Sequence, residues 1–405
     1  MNILFITNKK INPIIGGIER STETLASALS KSYGHKCHSA YTQRIEAEPW
    51  AYGKEYLLSK GQESNQLTKI IHDANIDVII AQGSDDAVTR LVKNIRHSSN
   101  SKKGCTFIYS FRGMPGFEIA NPLPKVLFFR LIHRQNTVQN IKNLAIGILN
   151  PIAHKLFILF LRKKYRPAYD NADKVVLLSN RYIDDYAKYA GVKNDGRICS
   201  INNSLVFNNL FDFRNYDEIK RHEVLWVGRF NDQTKRFSEV LKAWQLIERT
   251  GKFNDWTLRI VGYGEDEKYF YHLVKKLNLK KVIYEGHSES LPYYKTASIF
   301  LMTSAYEGFG NVLTESLQNA VVPIAFDSYK ALHDIIENGV NGFVSPNKNR
   351  KLFSERVMQV MTDSKLRKRL ASNGLSSIEK FKIEHIASQW NNLIIDCTQR
   401  NLLIK

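Results

Sequence analysis

Only four of the 405 residues are cysteine: Cys37, Cys105, Cys199 and Cys397. They lie far apart, with no CxxC pair and no zinc spacing, which predicts a reducing compartment, no disulfide framework and no structural metal. Also missing is any run of about eighteen apolar residues free of charge, so no transmembrane helix is expected. The opening MNILFITNKK reads as a strand ending in basic residues, and no signal peptide is expected. A fourth scarcity is local. Between Glu118 and Asp170 there is no acidic residue, whereas Lys125, Arg130, Arg134, Lys142, Lys155, Arg162, Lys163, Lys164 and Arg166 all fall there, in a chain of net charge +19.

That basic stretch also carries LFFRLI and LAIGILNPIAHKLFILFLRKKYR. Large apolar residues beside a basic edge suit a helix lying on an anionic membrane surface, here through residues 125–166. A buried helical hairpin with a solvated basic rim has the same pattern. Nucleic acid is not expected as a partner, since no nucleic-acid motif accompanies the charge.

What is present is an alternation of short apolar strands with amphipathic segments. Strands are expected at NILFITN, KCHSAYT, DVIIAQG, CTFIYSF, KVVLLSN and RICSINN, then at VLWVGRF, TLRIVGY, KVIYEG, SIFLMTS, VVPIAFD and GFVSP. Segments such as RSTETLASALSKSYG and FSEVLKAWQLIERTG space apolar residues by three and four and stop at glycine. The series occurs twice, and 405 residues exceed what one core usually supports. The expected class is α/β: two Rossmann-like, doubly wound domains facing across a cleft at the carboxyl ends of their sheets. The first spans 1–205 with a basic amphipathic insert at about 121–166. The second spans 206–385, and a final helix at 386–405 is expected to pack back toward the N-terminal domain.

The residues with chemistry cluster at the expected strand ends. YEGFGNVLTE reads as a strand-to-helix turn in which Asn311 is a candidate N-cap, placing Glu315 in the first helical turn. Carboxylates there accept the paired hydroxyls of a vicinal diol, and a helix N-terminus favours an anion. VLWVGRFNDQTKR puts Gly228, Arg229, Lys235 and Arg236 at another strand end, a guanidinium fork and a mobile point charge suited to phosphate. Gly262 and Gly264 follow a third strand, and Gly286 closes a fourth, where a base can lie against bare backbone.

The order VGRF…K, VGYGE, EGFGNVLTES and ENGVNGF resembles the C-terminal half of the family-4 retaining glycosyltransferases, which have the GT-B fold. The E-x7-E spacing of Glu307 and Glu315 is that family's hallmark, and GGIERSTETLA resembles its N-terminal glycine loop at Gly16, Gly17 and Glu19. The resemblance covers roughly residues 1–30 and 222–395. It implies that Arg229 and Lys235 grip the donor diphosphate, with Lys235 and Arg236 able to exchange roles because the interval is one residue longer than usual. It implies that Glu307 meets the donor sugar, that Glu315 meets the ribose, and that the backbone of Gly308, Phe309, Gly310, Asn311 and Val312 lies along sugar and phosphates. Gly16 and Gly17 would lie against the diphosphate, with Gly228, Gly262 and Gly286 lining the donor site.

One departure stands out. Where many members carry a histidine near the reacting carbon, this chain has YSFRGMPGFE, and Arg112 is the candidate to stabilise charge in its place. The implied activity is retaining, metal-independent transfer from a nucleotide-sugar, a UDP-sugar by family frequency, to a glycan or glycolipid acceptor in lipopolysaccharide, O-antigen or capsule synthesis. The enzyme would work in the cytoplasm, peripheral to the inner membrane face, and no cofactor is expected. A soluble transferase acting on a small acceptor, or a non-catalytic nucleotide-sugar-binding subunit, is the alternative. Asp85-Asp86 reads as a helix cap, not as a DxD metal motif.

Overall fold

The computed structural model describes residues 1–13, 16–83, 86–120 and 150–404. It divides into two units: Met1–Gly116, Pro151–Val206 and Lys380–Lys405 form one, Phe117–Asn150 and Phe207–Glu379 the other. The N-terminal unit is built on a parallel sheet of seven strands, β1 (Asn2–Lys9), β2 (Lys36–Gln43), β3 (Glu55–Leu57), β4 (Val78–Gly83), β5 (Thr106–Phe111), β6 (Lys174–Leu177) and β7 (Ile198–Ser200), in the order β3-β2-β1-β4-β5-β6-β7. The C-terminal unit has six parallel strands, β8 (Glu223–Val227), β9 (Thr257–Val261), β10 (Val282–Tyr284), β11 (Ile299–Met302), β12 (Val322–Asp327) and β13 (Phe343–Pro346), in the order β10-β9-β8-β11-β12-β13.

Every strand expected from the sequence is there. The addition is β3, whose three residues EYL pair only with β2 at the sheet edge and leave almost no pattern to read. Central strands such as β4 and β5 are buried along their whole length, as parallel strands covered on both faces must be, so they read as continuous apolar runs.

Helices α1 (Gly17–Tyr33), α2 (Glu63–Asp73), α3 (Asp86–Ser99), α4 (Asn150–Asn171) and α5 (Ile183–Ala190) belong to the first unit. The C-terminal helix, Ile383–Ile404, belongs there too. Its Ile386, Ala387, Trp390 and Ile394 share a core with Ile3 and Phe5 of β1 and Leu25, Ala26 and Leu29 of α1. A polar clasp joins the same parts: the N-terminal ammonium lies 3.2 Å from His35 Nδ1, and His35 Nε2 lies 2.8 Å from Asn391 Oδ1. Chain connectivity changes units at Val206–Phe207. Leu205 N donates to the Phe381 carbonyl, whereas Phe207 N and Phe211 N donate to Gln318.

Residues 121–149 of the expected basic insert lie outside the described residues, as does Asp85. The part that is described, α4, is two-faced. Leu161, Tyr165, Ala168 and Tyr169 are buried, while Leu159 and Phe160 are 52% and 56% exposed beside exposed Arg162, Lys163 and Arg166. Among the described residues no helix is long and apolar enough to cross a membrane.

Candidate functional site

In the C-terminal sheet β8 lies between β9 and β11, so chain order reverses there. The carboxyl ends of β8 and β11 flank this topological switch, the place where open α/β sheets take ligands. The loop after β8 runs through Gly228–Asn231 into α6 (Asp232–Lys235) and then α7 (Phe237–Glu248). The loop after β11 runs to α10 (Asn311–Gln318); α8 (Glu267–Lys276) and α9 (Leu291–Thr296) precede it in the chain.

Arg229 and Phe230 divide the work of the first loop. Arg229 is exposed, whereas Phe230 is fully buried against Phe237, Phe270 and Tyr284, with ring centroids 5.1, 5.0 and 5.5 Å away. Truncating a phenylalanine so enclosed costs about 3–5 kcal/mol, so the anchor is firm. The loop is also stapled to the one after β9. Phe230 N donates to Tyr263 O at 2.8 Å, Asp232 N to Asp266 Oδ2 at 2.8 Å, and Asn231 Nδ2 to Glu265 Oε1 at 2.8 Å. Asn231 Oδ1 caps α6 by accepting from Thr234 N, and Asp232 caps α7, accepting from Ser238 N and Ser238 Oγ at 2.7 Å each. Burial raises the Asp232 carboxyl above its ordinary range, opposed by the Ser238 hydrogen bonds.

These contacts explain two glycines differently from the sequence reading. A Cβ on Gly262, whose φ is +143°, would sit 1.9 Å from the Gly228 carbonyl oxygen, and one on Gly264 would sit 2.6 Å from that of Phe230. Both are bare because two protein backbones meet there. Around Gly286 the nearest such atom is Tyr284 Oη at 4.0 Å, so this glycine does leave open space.

The second loop brings the first glutamate to the lysine. Glu307 Oε1 pairs with Lys235 Nζ at 2.5 Å, both side chains mostly enclosed. Arg236 diverges: its guanidinium reaches Asn347 Oδ1 at 2.9 Å, and burial lowers its pKa against the opposing pull of Glu239 and Asp232. Lys235, and not Arg236, is the cation beside Glu307. Gly308 is half-buried, Phe309 is buried, and Asn311 and Val312 remain half-exposed.

Helix α10 begins one residue earlier than expected. Gly310 is its N-cap at φ 99°, a conformation and a space that a Cβ would spoil by meeting Tyr329 Oη at 2.3 Å. Asn311 is therefore the first helical residue, and Glu315, 4% exposed, sits in the second turn. There its placement owes more to burial than to the helix dipole, which fades within a turn.

Arg112, Gly16 and Gly17 belong to the N-terminal unit. Arg112 follows β5, where its terminal amine donates to Ser21 Oγ of α1 and to Asn203 Oδ1 at 2.6 Å. Burial pulls its pKa down to about 10, with Glu19 opposing, and its Nε has no hydrogen-bond partner. Gly16 is extended (φ −157°) and caps α1, with Gly17 exposed as the first helical residue. The neighbour a Gly16 Cβ would meet is the Glu19 carboxylate. Among the described residues no cluster of three or more His, Cys, Asp or Glu is arranged to hold a metal ion. The residues missing from the sequence reading are Asn231, Asp232 and Asp266. Asn and Asp just before an amphipathic run are a readable cap signal; the tie to Asp266 is not local.

Residues 211–376 match the family described as glycosyl transferases, group 1. The chain is 27% identical over 248 residues to the amylovoran biosynthesis glycosyltransferase AmsD of Erwinia amylovora, covering 60% of this chain and 68% of that protein. It is 27% identical over 199 residues to the GalNAc-alpha-(1->4)-GalNAc-alpha-(1->3)-diNAcBac-PP-undecaprenol alpha-1,4-N-acetyl-D-galactosaminyltransferase of Campylobacter jejuni, covering 49% and 53%. Against a capsular polysaccharide biosynthesis glycosyltransferase of Staphylococcus aureus the match again spans half of the relative. Among solved structures, HepE of Anabaena with UDP and glucose superposes at TM-score 0.69 and 16% identity, covering 98% of this chain and all of that one. The lipopolysaccharide outer core galactosyltransferase WaaB superposes at 0.67 and 16%, covering 98% and 99%. The fold is that of the GT-B glycosyltransferases, and residues 211–376 carry the match to the glycosyl transferases, group 1.

Proposed function

We propose that this chain is a retaining glycosyltransferase that moves a sugar from a nucleotide-sugar, a UDP-sugar, to a glycan acceptor in polysaccharide assembly. Glycosyl transfer in such a pathway is what the family and its polysaccharide-synthesis relatives support. The observation that carries the reading is the meeting of Lys235 and Glu307 at the sheet's switch point, with exposed Arg229 on the same loop as the lysine. In this reading Arg229 and Lys235 neutralise the diphosphate as it leaves, which is electrostatic stabilisation of the transition state. Glu307 accepts hydrogen bonds from the sugar hydroxyls, and Glu315 from the ribose diol. The bond from the anomeric carbon to the phosphate oxygen breaks, the acceptor oxygen bonds to that carbon on the same face, and its proton passes to the departing phosphate. The cationic side chains supply the counter-charge, and no metal is invoked.

A lipid-linked acceptor at the cytoplasmic membrane face is part of the proposal. It is supported by Leu159 and Phe160 standing exposed on α4 beside Arg162, Lys163 and Arg166, and by a relative whose name carries a PP-undecaprenol-linked glycan. Apolar side chains flanked by bases are what an anionic bilayer binds, with a salt dependence that bare apolar contact lacks.

The test is to incubate the protein with a panel of UDP- and GDP-sugars, following donor hydrolysis and thermal unfolding. A true donor at a hundred times its Kd adds about 2.7 kcal/mol to stability. A panel in which no compound is hydrolysed and none stabilises would sink the reading. Sedimentation with anionic and neutral vesicles at low and high salt tests the membrane part separately.

A further inference from the structure

We infer that Thr303, which neither the sequence reading nor the family resemblance singles out, is the positioning residue that aims Lys235 at the donor diphosphate. The inference rests on the reading of the donor site above. Thr303 lies just past the end of β11 and is completely buried. Its hydroxyl has one proton, and that proton is shared between two carbonyls of the phosphate loop, Lys235 O at 3.1 Å and Arg236 O at 2.9 Å. Two residues on, Ala305 N donates to Thr234 O at 2.7 Å. Three consecutive carbonyls, those of Thr234, Lys235 and Arg236, are therefore held by the segment that continues into Glu307.

Those carbonyls need holding. The carbonyls of Thr234 and Lys235 close the C-terminus of α6, where a helix leaves its last acceptors without intrahelical donors, while the Arg236 carbonyl also accepts from Glu239 N of α7 at 2.9 Å. The residue after α6, Arg236, is in the left-handed region (φ 49°, ψ 44°), a conformation unfavourable for a residue with a side chain. That turn ends α6 and starts α7, so it sets the direction in which Lys235 leaves the backbone. A flexible four-carbon side chain is a poor instrument unless its root is fixed. Thr303 fixes the root from the segment after β11 that also carries Glu307, so diphosphate grip and sugar grip share one anchor.

The experiment compares Thr303→Val, which has the same shape without the hydroxyl, with Thr303→Ser, which keeps it, and with Thr303→Ala as a second variant lacking the donor. Each is measured for binding of UDP and of uridine, and of GDP and guanosine, with thermal unfolding in parallel. Loss of one buried hydrogen-bond donor predicts about a tenfold weaker diphosphate affinity in Thr303→Val and Thr303→Ala. Nucleoside affinity is unchanged in both, and Thr303→Ser binds like the wild type. Wild-type diphosphate affinity in both the Val and Ala variants overturns the inference, as does a parallel loss of nucleoside and diphosphate affinity. Wild-type protein that binds neither UDP nor GDP overturns the donor-site reading and this inference together.

Discussion

Glycine and arginine do different jobs in the two units. In the C-terminal unit Gly262 lets one loop backbone lie on another, with its missing Cβ 1.9 Å from the Gly228 oxygen. In the N-terminal unit Gly16 is extended and has a flexible Glu19 carboxylate over it. Arg229 of the C-terminal unit is exposed, free to meet a ligand, while Arg112 of the N-terminal unit is enclosed by Ser21 and Asn203. The contrast teaches that a glycine or arginine in a conspicuous motif is not thereby a ligand contact. What it touches decides.

The largest effect expected is at Gly262. Gly262→Ala places a Cβ against a backbone oxygen at positive φ and should destabilise by about 3 kcal/mol or more. Gly16→Ala should stay within about 1 kcal/mol, since a carboxylate can swing away. Urea unfolding of both variants reads this directly, and equal losses would erase the distinction between the two glycines.

Next come the arginines. Arg229→Ala should lower kcat by about a hundredfold or more, with stability within about 0.5 kcal/mol of wild type because the side chain is exposed. Arg112→Ala removes a buried partner from Ser21 and Asn203 and should cost about 1–3 kcal/mol. If Arg112→Ala instead kept full stability and lost turnover, the catalytic role suggested for it by the missing histidine would be the better account.

A smaller change is expected for Glu315→Gln, which keeps size and burial but gives up a charged acceptor. The donor KM should rise about tenfold, with the acceptor KM unmoved. Parallel rises in both would remove its assigned role at the ribose.

The smallest effect concerns the clasp on the C-terminal helix. Burial lowers the pKa of His35 below 6.5, although its bond to Asn391 opposes the shift. The folded state then binds fewer protons than the unfolded one, so this contribution is fully present above pH 6.5. It is lost as the pH falls from there toward the lowered value. His38 is lowered for the same leading reason, with Lys36 and Lys54 adding to it. The melting temperature should fall on mild acidification, and less steeply in His35→Gln. An unchanged slope in that variant would show that the clasp is not what titrates.

Much of the architecture was legible because parallel strands covered on both faces leave unbroken apolar runs. The short edge strand Glu55–Leu57 was not, since three residues carry no period. Asn311 was read as a cap because asparagine often is one. Gly310 took the position, and the reason is Tyr329, nineteen residues away in sequence, whose hydroxyl fills the space a Cβ would need. The spacing of Glu307, Glu315, Arg229 and Lys235 pointed to a ligand site, since carboxylates for diols and cations for phosphate are choices of residue type.

Residue type and local period, then, were enough for the class of fold, the strand ends and the chemistry offered there. Chain folding alone settled that Lys235 rather than Arg236 faces Glu307, that Gly262 serves packing, and that Thr303 holds the lysine's root. Each of those outcomes is a contact between segments distant in the chain, and hydrogen bonds and excluded volume act through space whatever the separation in sequence.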